Sequence, residues 1–152
     1  MKLVFGKAKP ENLEEILNLF ENSIKNSCSK DYNQQQIIAW VSSIENKDKW
    51  IEKIKTHYFI IVKAQNKIVG FGSLQDNYID LLYVHKDFLR KGIASFIYQN
   101  LKKESENRGF TVLLTHASKT AISFFESKKF KIIKENKVIR KGIEITNFEM
   151  TQ

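Results

Sequence analysis

The sequence predicts an α/β fold built on a mixed, mostly antiparallel sheet of about six to seven strands. Two observations carry this. A strand-like run, Tyr78 to Val84, leads through a polar turn into Arg90-Lys91-Gly92-Ile93-Ala94-Ser95 and a long amphipathic helix, after which Val112 to Thr115 supplies a second strand. Strand, helix and strand in that order make a βαβ unit, whose strands run parallel. Ahead of it, runs at Tyr58 to Ala64 and Lys67 to Leu74 are separated only by Gln65-Asn66, and Asp76-Asn77 turns the chain into Tyr78. Such polar pairs close hairpins, so these three strands form an antiparallel meander.

The bulk properties agree with a folded core and limit the function classes. The 152 residues suit one domain, with 42% hydrophobic residues and 11 Phe to fill it, and one Pro and six Gly argue against a disordered or fibrous chain. Apolar runs such as Phe59-Ile60-Ile61-Val62 are strand-sized, far below the ~18 residues of a membrane helix. The first residues lack an apolar stretch of signal-peptide length, and Cys28 stands alone, excluding an intramolecular disulfide; both point to the cytoplasm. Net charge is +8, with Lys119, Lys128, Lys129, Lys131, Lys134, Lys137, Arg140 and Lys141 contributing much of it. A nucleic-acid surface and a site for a small polyanion both fit such charge. Phe124, Phe125 and Phe130 fall at core-like positions rather than in a stacking row, which favours the small polyanion.

Taken in order, Leu3 to Ala8 reads as a first strand, followed by Pro10 and a helix with a stripe of Leu13, Ile16, Leu17, Phe20 and Ile24. Glu11, Glu14 and Glu15 lie where the helix dipole favours acids. Cys28 beyond this helix reads as a small hydrophobe, since no motif accompanies it. A second helix presents Ile37, Trp40, Val41 and Ile44 behind a cap at Asp31 or Asn33, and Asn46-Lys47-Asp48 breaks it. A short third piece carries Trp50, Ile51 and Ile54. Tyr32 and Trp40 are candidates to line a substrate groove, although aromatics at helical spacing also serve a core.

In the strand before the central unit, Gly70 and Gly72 weaken the pattern locally. The helix after Gly92 shows a stripe of Ile93, Phe96, Ile97 and Leu101, and ends with Arg108 and Gly109. Ser118-Lys119-Thr120 then leads to a short helix with Ala121, Phe124 and Phe125, a strand around Phe130 to Ile133, and a final arm from Lys137 to Met150 with Gly142 near its turn. The predicted order is β-α-α-β-β-β-α-β-α-β-β.

The turn at Arg90 to Ser95 is an anion-binding device. Amides at a helix N-terminus lack intrahelical partners and sit at the positive end of the dipole, and the small residues Gly92, Ala94 and Ser95 let a phosphate approach them. It is neither a nucleotide P-loop nor a dinucleotide Gly-x-Gly-x-x-Gly, and by itself a basic helix start is also an ordinary solvated cap.

Leu-Leu-Tyr-Val-His before Arg-Lys-Gly-Ile-Ala-Ser, and Ala-Ile-Ser-Phe-Phe-Glu-Ser-Lys-Lys-Phe after it, together with the element order, resemble the GCN5-related N-acetyltransferase (GNAT) superfamily across the whole chain. Asp-Tyr-Asn-Gln-Gln-Gln-Ile-Ile-Ala-Trp, Tyr-Ile-Asp-Leu-Leu-Tyr-Val and Thr-Asn-Phe-Glu-Met are most similar to the YafP-like bacterial subgroup. The resemblance implies one N-acetyltransferase domain over 1–152, helices on both faces of the sheet, and acetyl-CoA bound where the parallel Tyr78 and Val112 strands splay apart. Its pyrophosphate pattern falls on Leu89, Arg90, Lys91, Gly92, Ile93 and Ala94, with Ser95 following; Leu89 departs from the usual polar residue. Leu82 and Val84 take the places whose backbone pairs with the pantetheine arm, and Tyr83, Ser118 and Phe125 are further cofactor-binding candidates.

The reaction implied is direct attack by a neutral primary amine of a small molecule or a protein on the thioester, without a covalent enzyme intermediate. The Val84 N–H is the oxyanion candidate. Asp80 matches a position where related enzymes place a carboxylate base, and Asp in a strand needs a reason; the competing reading is a carboxylate that accepts turn hydrogen bonds. The usual acid is a Tyr where this chain has Phe125, which has no proton to give; Lys129 replaces a usual Gly and Ser118 a frequent Asn. His116 is the substitute with Tyr83 behind it, His85 is a further candidate, and His57 reads as merely positional. No metal site is expected. Two rival readings are a CoA-binding protein that has lost catalysis and an RNA-directed acetylating enzyme. The acceptor and the oligomeric state are not encoded legibly, and a homodimer is compatible with the sequence.

Overall fold

A computed structural model describes residues 2–152, and among them seven strands form one sheet in the order β1-β2-β3-β4-β5-β7-β6. The strands are β1 (Leu3–Lys7), β2 (Tyr58–Ala64), β3 (Lys67–Gln75), β4 (Tyr78–Val84), β5 (Leu114–Ser118), β6 (Lys131–Arg140) and β7 (Ile143–Thr151). The helices are α1 (Leu13–Ser27), α2 (Gln34–Val41), α3 (Lys47–Thr56), α4 (Ile93–Asn107) and α5 (Ile122–Ser127). Every neighbouring pair is antiparallel except β4 with β5, the pair that the crossover helix α4 connects.

Alternation along the strands divides the core in two. Phe59, Ile61, Ile68, Phe71 and Leu81 face α1, α2 and α3, while Ile60, Val62, Val69, Leu74, Ile79 and Val84 face α4 and α5. The stripe of Leu13, Ile16, Leu17, Phe20 and Ile24 is buried as its spacing requires. Asn33 caps α2 by accepting the Gln36 N–H at 2.8 Å, and Gln36 returns the bond to the Asn33 N–H at 3.0 Å. The hairpin pair Gln65 and Asn66 has φ 51° and 68°, the left-handed geometry that matches strand twist.

Five readings of the fold need correction. Asn46 ends the preceding helical run, but Lys47 and Asp48 already belong to the next helix: the Asn46 side chain accepts the Lys49 N–H at 3.2 Å and α3 begins at Lys47. The second parallel strand begins at Leu114 rather than Val112, because its first backbone bond, Leu114 N–H to Asn77 O at 2.9 Å, is set by where β4 begins. Phe96 leaves the buried stripe of α4, 40% exposed and edge-on to Phe5 at 5.7 Å, and Tyr98 takes its place inside. Lys137 to Arg140 belongs to the ten-residue strand β6, and the last arm begins at Ile143 after a turn with Lys141 at φ 51° and Gly142 at φ 75°.

The fifth concerns Gly70 and Gly72, which are packing positions. A Cβ on Gly72 would lie 2.5 Å from Ile97 Cγ2, and one on Gly70 would lie 3.0 Å from Ile93 and Ile97. The glycines let α4 lie directly on β3, which fixes the height of the N-terminus of α4 beside β4.

Candidate active site

β4 and β5 share only two rungs, Tyr78 with Leu114 and Ile79 with Thr115. Beyond Ile79 the strands part, and the gap continues into a cleft of about 1290 Å³. The His85 N–H donates to Val69 O at 2.8 Å, so the odd residues of β4 near its end turn their backbone to β3 and Leu82 and Val84 turn theirs into the gap. Val84 O already accepts the Ser23 hydroxyl at 3.2 Å.

A bulge aims Asp80. Ser73 pairs with Leu81 and Leu74 with Ile79, leaving Asp80 without a partner on β3. Asp80 and Leu81 consequently both face the α1–α3 side, where Leu81 joins the core and Asp80 Oδ2 accepts from Lys53 Nζ at 2.7 Å. His57 is not merely positional: its Nδ1 lies 2.8 Å from Ser73 Oγ and 3.8 Å from Asp80 Oδ2. It follows the last turn of α3, which carries it over the bulge. Burial lowers the pKa of its imidazole against the opposing pull of Asp80. The folded state therefore binds fewer protons than the unfolded chain, so stability holds above the ordinary value of 6.5 and falls as pH drops below it. Thermal melts of His57→Gln between about pH 8 and pH 5 are expected to lose part of that acid decline.

At the cleft's other end, Arg90 has φ 59° and Gly92 φ 81°. Left-handed residues on either side of Lys91 give the start of α4 the backbone pattern of a nest, which is suited to an anion. Gly92 is exposed, and a Cβ there would meet nothing within 4 Å, so the approach to its amide is open. Leu89 is 44% exposed at the mouth. Ala94 and Ser95 are half-buried in the first turn of α4 and line the cleft, Ile93 is buried beneath them, and Ser95 Oγ accepts from Lys128 Nζ at 2.9 Å.

The remaining candidates divide. Tyr32 and Trp40 both line the cleft, with rings 5.3 Å apart. The Tyr32 hydroxyl is already committed, donating to Thr146 O at 2.6 Å and accepting from Lys119 N–H at 2.9 Å. Tyr83 packs on Phe20 and Phe71, with centroids 5.0 and 5.6 Å away, and burial, with Cys28 and Asp80 adding to it, pushes its hydroxyl far above the ordinary range. Such a phenol is a poor proton donor to a thiolate. Ser118 closes β5, and its Oγ accepts the Ala121 N–H at 3.2 Å ahead of α5. Phe125 is buried edge-on to Phe124 and Phe130. His85 caps a short 3₁₀ turn through its Nδ1, which accepts the Asp87 N–H at 3.0 Å. His116 sits on β5 at the cleft, its Nδ1 2.9 Å from the Tyr78 hydroxyl.

Lys53, Ser23, Ser27 and Tyr78 line the same cleft and escaped the sequence reading. Among the described residues, Ser27 Oγ is the buried side-chain oxygen without a hydrogen-bond partner. The helical stripe of α1 marks these serines only as its polar gaps. No group of three or more His, Cys, Asp or Glu able to hold a metal occurs among the described residues, and no helix there is long and apolar enough to cross a membrane.

The mixed seven-stranded sheet that parts its parallel pair beside a nest at a helix start is shared with acetyltransferase-class α/β proteins. The acetyltransferase (GNAT) domain pattern matches residues 28–152. The N-acetyltransferase YafP of Escherichia coli K12 is 33% identical over 143 residues, spanning 93% of this chain and 90% of that protein. A GCN5-related N-acetyltransferase structure from Rhodopseudomonas palustris superposes with a TM-score of 0.96 at 27% identity, covering 100% of this chain and 96% of that one. The PaiA N-acetyltransferase of Thermoplasma acidophilum, solved in complex with coenzyme A, shares the fold with a TM-score of 0.83 at 18% identity, covering 100% and 99%. The chain belongs to the GNAT family of N-acetyltransferases, and its relatives include YafP.

Proposed function

We propose that the protein transfers the acetyl group of acetyl-CoA to a primary amine of a small molecule or a protein, by direct attack within a ternary complex. The observation that carries this reading is the loss of β4–β5 pairing after two rungs, beside an open nest at Arg90 to Gly92. The pyrophosphate would lie on that nest, with Arg90 and Lys91 supplying charge. The pantetheine arm would pair with Leu82 and Val84 in place of the absent β5 rungs. When bound, acetyl-CoA supplies the activated acyl group and a thiolate leaving group. The Val84 N–H faces the developing oxyanion, which an amide fixed in a strand stabilises without reorganising. Asp80 attracts the ammonium form of the acceptor. Lys53 holds the carboxylate in place and occupies one of its oxygens.

Calorimetric titration with acetyl-CoA, followed by thiol release across an amine panel, tests the reading; a chain that binds no CoA ends it. Alanine at both Arg90 and Lys91 is expected to weaken acetyl-CoA binding about 10-fold at low salt, with a smaller loss near 1 M salt, where screening shortens to ~3 Å. The main-chain nest survives that change. A second reading, a CoA-binding protein without turnover, is favoured by Phe125, which is buried and has no hydroxyl to offer a thiolate. Tight CoA binding with no thiol release from any amine would establish it.

A further inference from the structure

Three strands bring a chain of proton-carrying groups to the point where β4 and β5 separate. Tyr78, on the first of the two shared rungs, places its hydroxyl 2.9 Å from His116 Nδ1, with the two rings edge-on at 5.5 Å. His116 pairs across β5 and β7 with Glu149, and its Nε2 lies 3.6 Å from Glu149 Oε1. A proton on Nε2 would face the carboxylate and leave the Nδ1 lone pair to the phenol, which is the tautomer a relay needs. Tyr78 and His116 both line the cleft beside Asp80, and Glu149 stands behind them.

We propose that Tyr78, His116 and Glu149 form a proton relay that takes the proton from the acceptor amine. The proposal rests on the acetyl-transfer reading above. As the amine nitrogen bonds to the acetyl carbon, its proton passes to Tyr78 Oη while the Tyr78 hydroxyl proton moves to His116 Nδ1. The C–S bond then breaks with its electron pair on sulfur. The proton returns from His116 through Tyr78 to the thiolate, leaving amide, free CoA and the relay in its starting state. Glu149 holds the transient imidazolium, as a carboxylate behind a histidine does in hydrolytic triads.

The surroundings suit a conduit rather than a resting base. Burial first, then Asp80 and Glu149, push the Tyr78 hydroxyl up to about 12, so it stays protonated until it exchanges one proton for another. The charged and titratable groups facing the relay are Asp80 on β4, Glu149 on β7, and Lys53 and His57 at the end of α3, which Asp80 holds. Asp80 has one oxygen committed to Lys53 at 2.7 Å, and the relay offers the proton a second path.

The test compares wild type, Tyr78→Phe, His116→Gln and Glu149→Gln by thiol release, at saturating acetyl-CoA with the best amine of a panel of alkylamines, amino acids and peptides. Tyr78→Phe and His116→Gln are expected to lower kcat about 10²-fold with acetyl-CoA affinity unchanged. Glu149→Gln leaves the imidazole intact and removes the carboxylate behind it, so kcat should fall about 10-fold with acetyl-CoA affinity unchanged. Nitrogen NMR of His116 should show Nε2–H in wild type. Full activity in Tyr78→Phe or in Glu149→Gln, or an Nδ1–H tautomer in wild type, overturns the relay while the acetyl-transfer reading stands. A wild-type protein that acetylates no amine overturns that reading and the relay with it. Glu149 is partly exposed, so its variant remains a fair test if Tyr78→Phe folds poorly.

Discussion

Exchanging Asp80 for alanine is expected to lower kcat/KM for amine acetylation by about 10²-fold, with acetyl-CoA affinity close to wild type, as thiol release and calorimetry would show. Asp80→Asn separates two roles for this carboxylate. If its charge draws the ammonium and fixes Lys53, asparagine fails as badly as alanine. If Asp80 only accepts hydrogen bonds at the bulge, asparagine restores turnover and the electrostatic role is lost. The change also leaves Lys53 and His57 facing one another without their shared anion. The Lys53 side chain is 22% exposed, so water softens the loss, and we expect about 1–2 kcal/mol of destabilisation rather than the 3–5 of a fully buried pair.

The largest stability effect is expected at Gly72. Valine there sets a Cβ 2.5 Å from Ile97 Cγ2, 3.2 Å from Leu101 Cδ1 and 3.3 Å from Leu81 O. Both side chains are fully buried, so they cannot swing aside, and α4 must lift from β3. Overpacking of this kind costs roughly 1–3 kcal/mol, at the upper end for a β-branched residue. Ile97→Ala alone leaves a cavity worth about 2–5 kcal/mol, yet it deletes the obstructing methyl. Urea denaturation of Gly72→Ala, Ile97→Ala and the pair should therefore show the double variant more stable than the sum of the two losses by about 1 kcal/mol or more. Simple additivity would mean that the helix does not rest on this glycine. Because α4 begins at the nest, lifting it should also weaken acetyl-CoA binding.

How far the sequence could be read follows from where each signal lies. The stripe of α1, the Gln65-Asn66 hairpin and the basic turn before α4 are local patterns, and each occurs where its spacing places it. The start of β5 is not local, because the pairing of Leu114 with Asn77 across 37 positions decides it, while Val112 and Leu113 are equally strand-like in composition. Strand β6 pairs only with β7 and is largely exposed, so it never shows the alternation of a half-buried strand. His57 was misread for the same reason: nothing near it in sequence announces a bulge in β4. The link from Tyr78 to His116 to Glu149 requires knowing which strands are neighbours, and residue types alone cannot supply that.

The brevity of the β4–β5 junction has a mechanical consequence. With two rungs between them, β1 to β4 and β5, β7 and β6 are two leaves joined along a short seam, and Tyr32 reaches from the α1–α2 connection to Thr146 and Lys119 of the second leaf. A guest lying along that seam restores the missing cross-strand bonds and works as mortar. Occupancy and stiffness then rise together, and the protein resists heat best when it is loaded and ready to react.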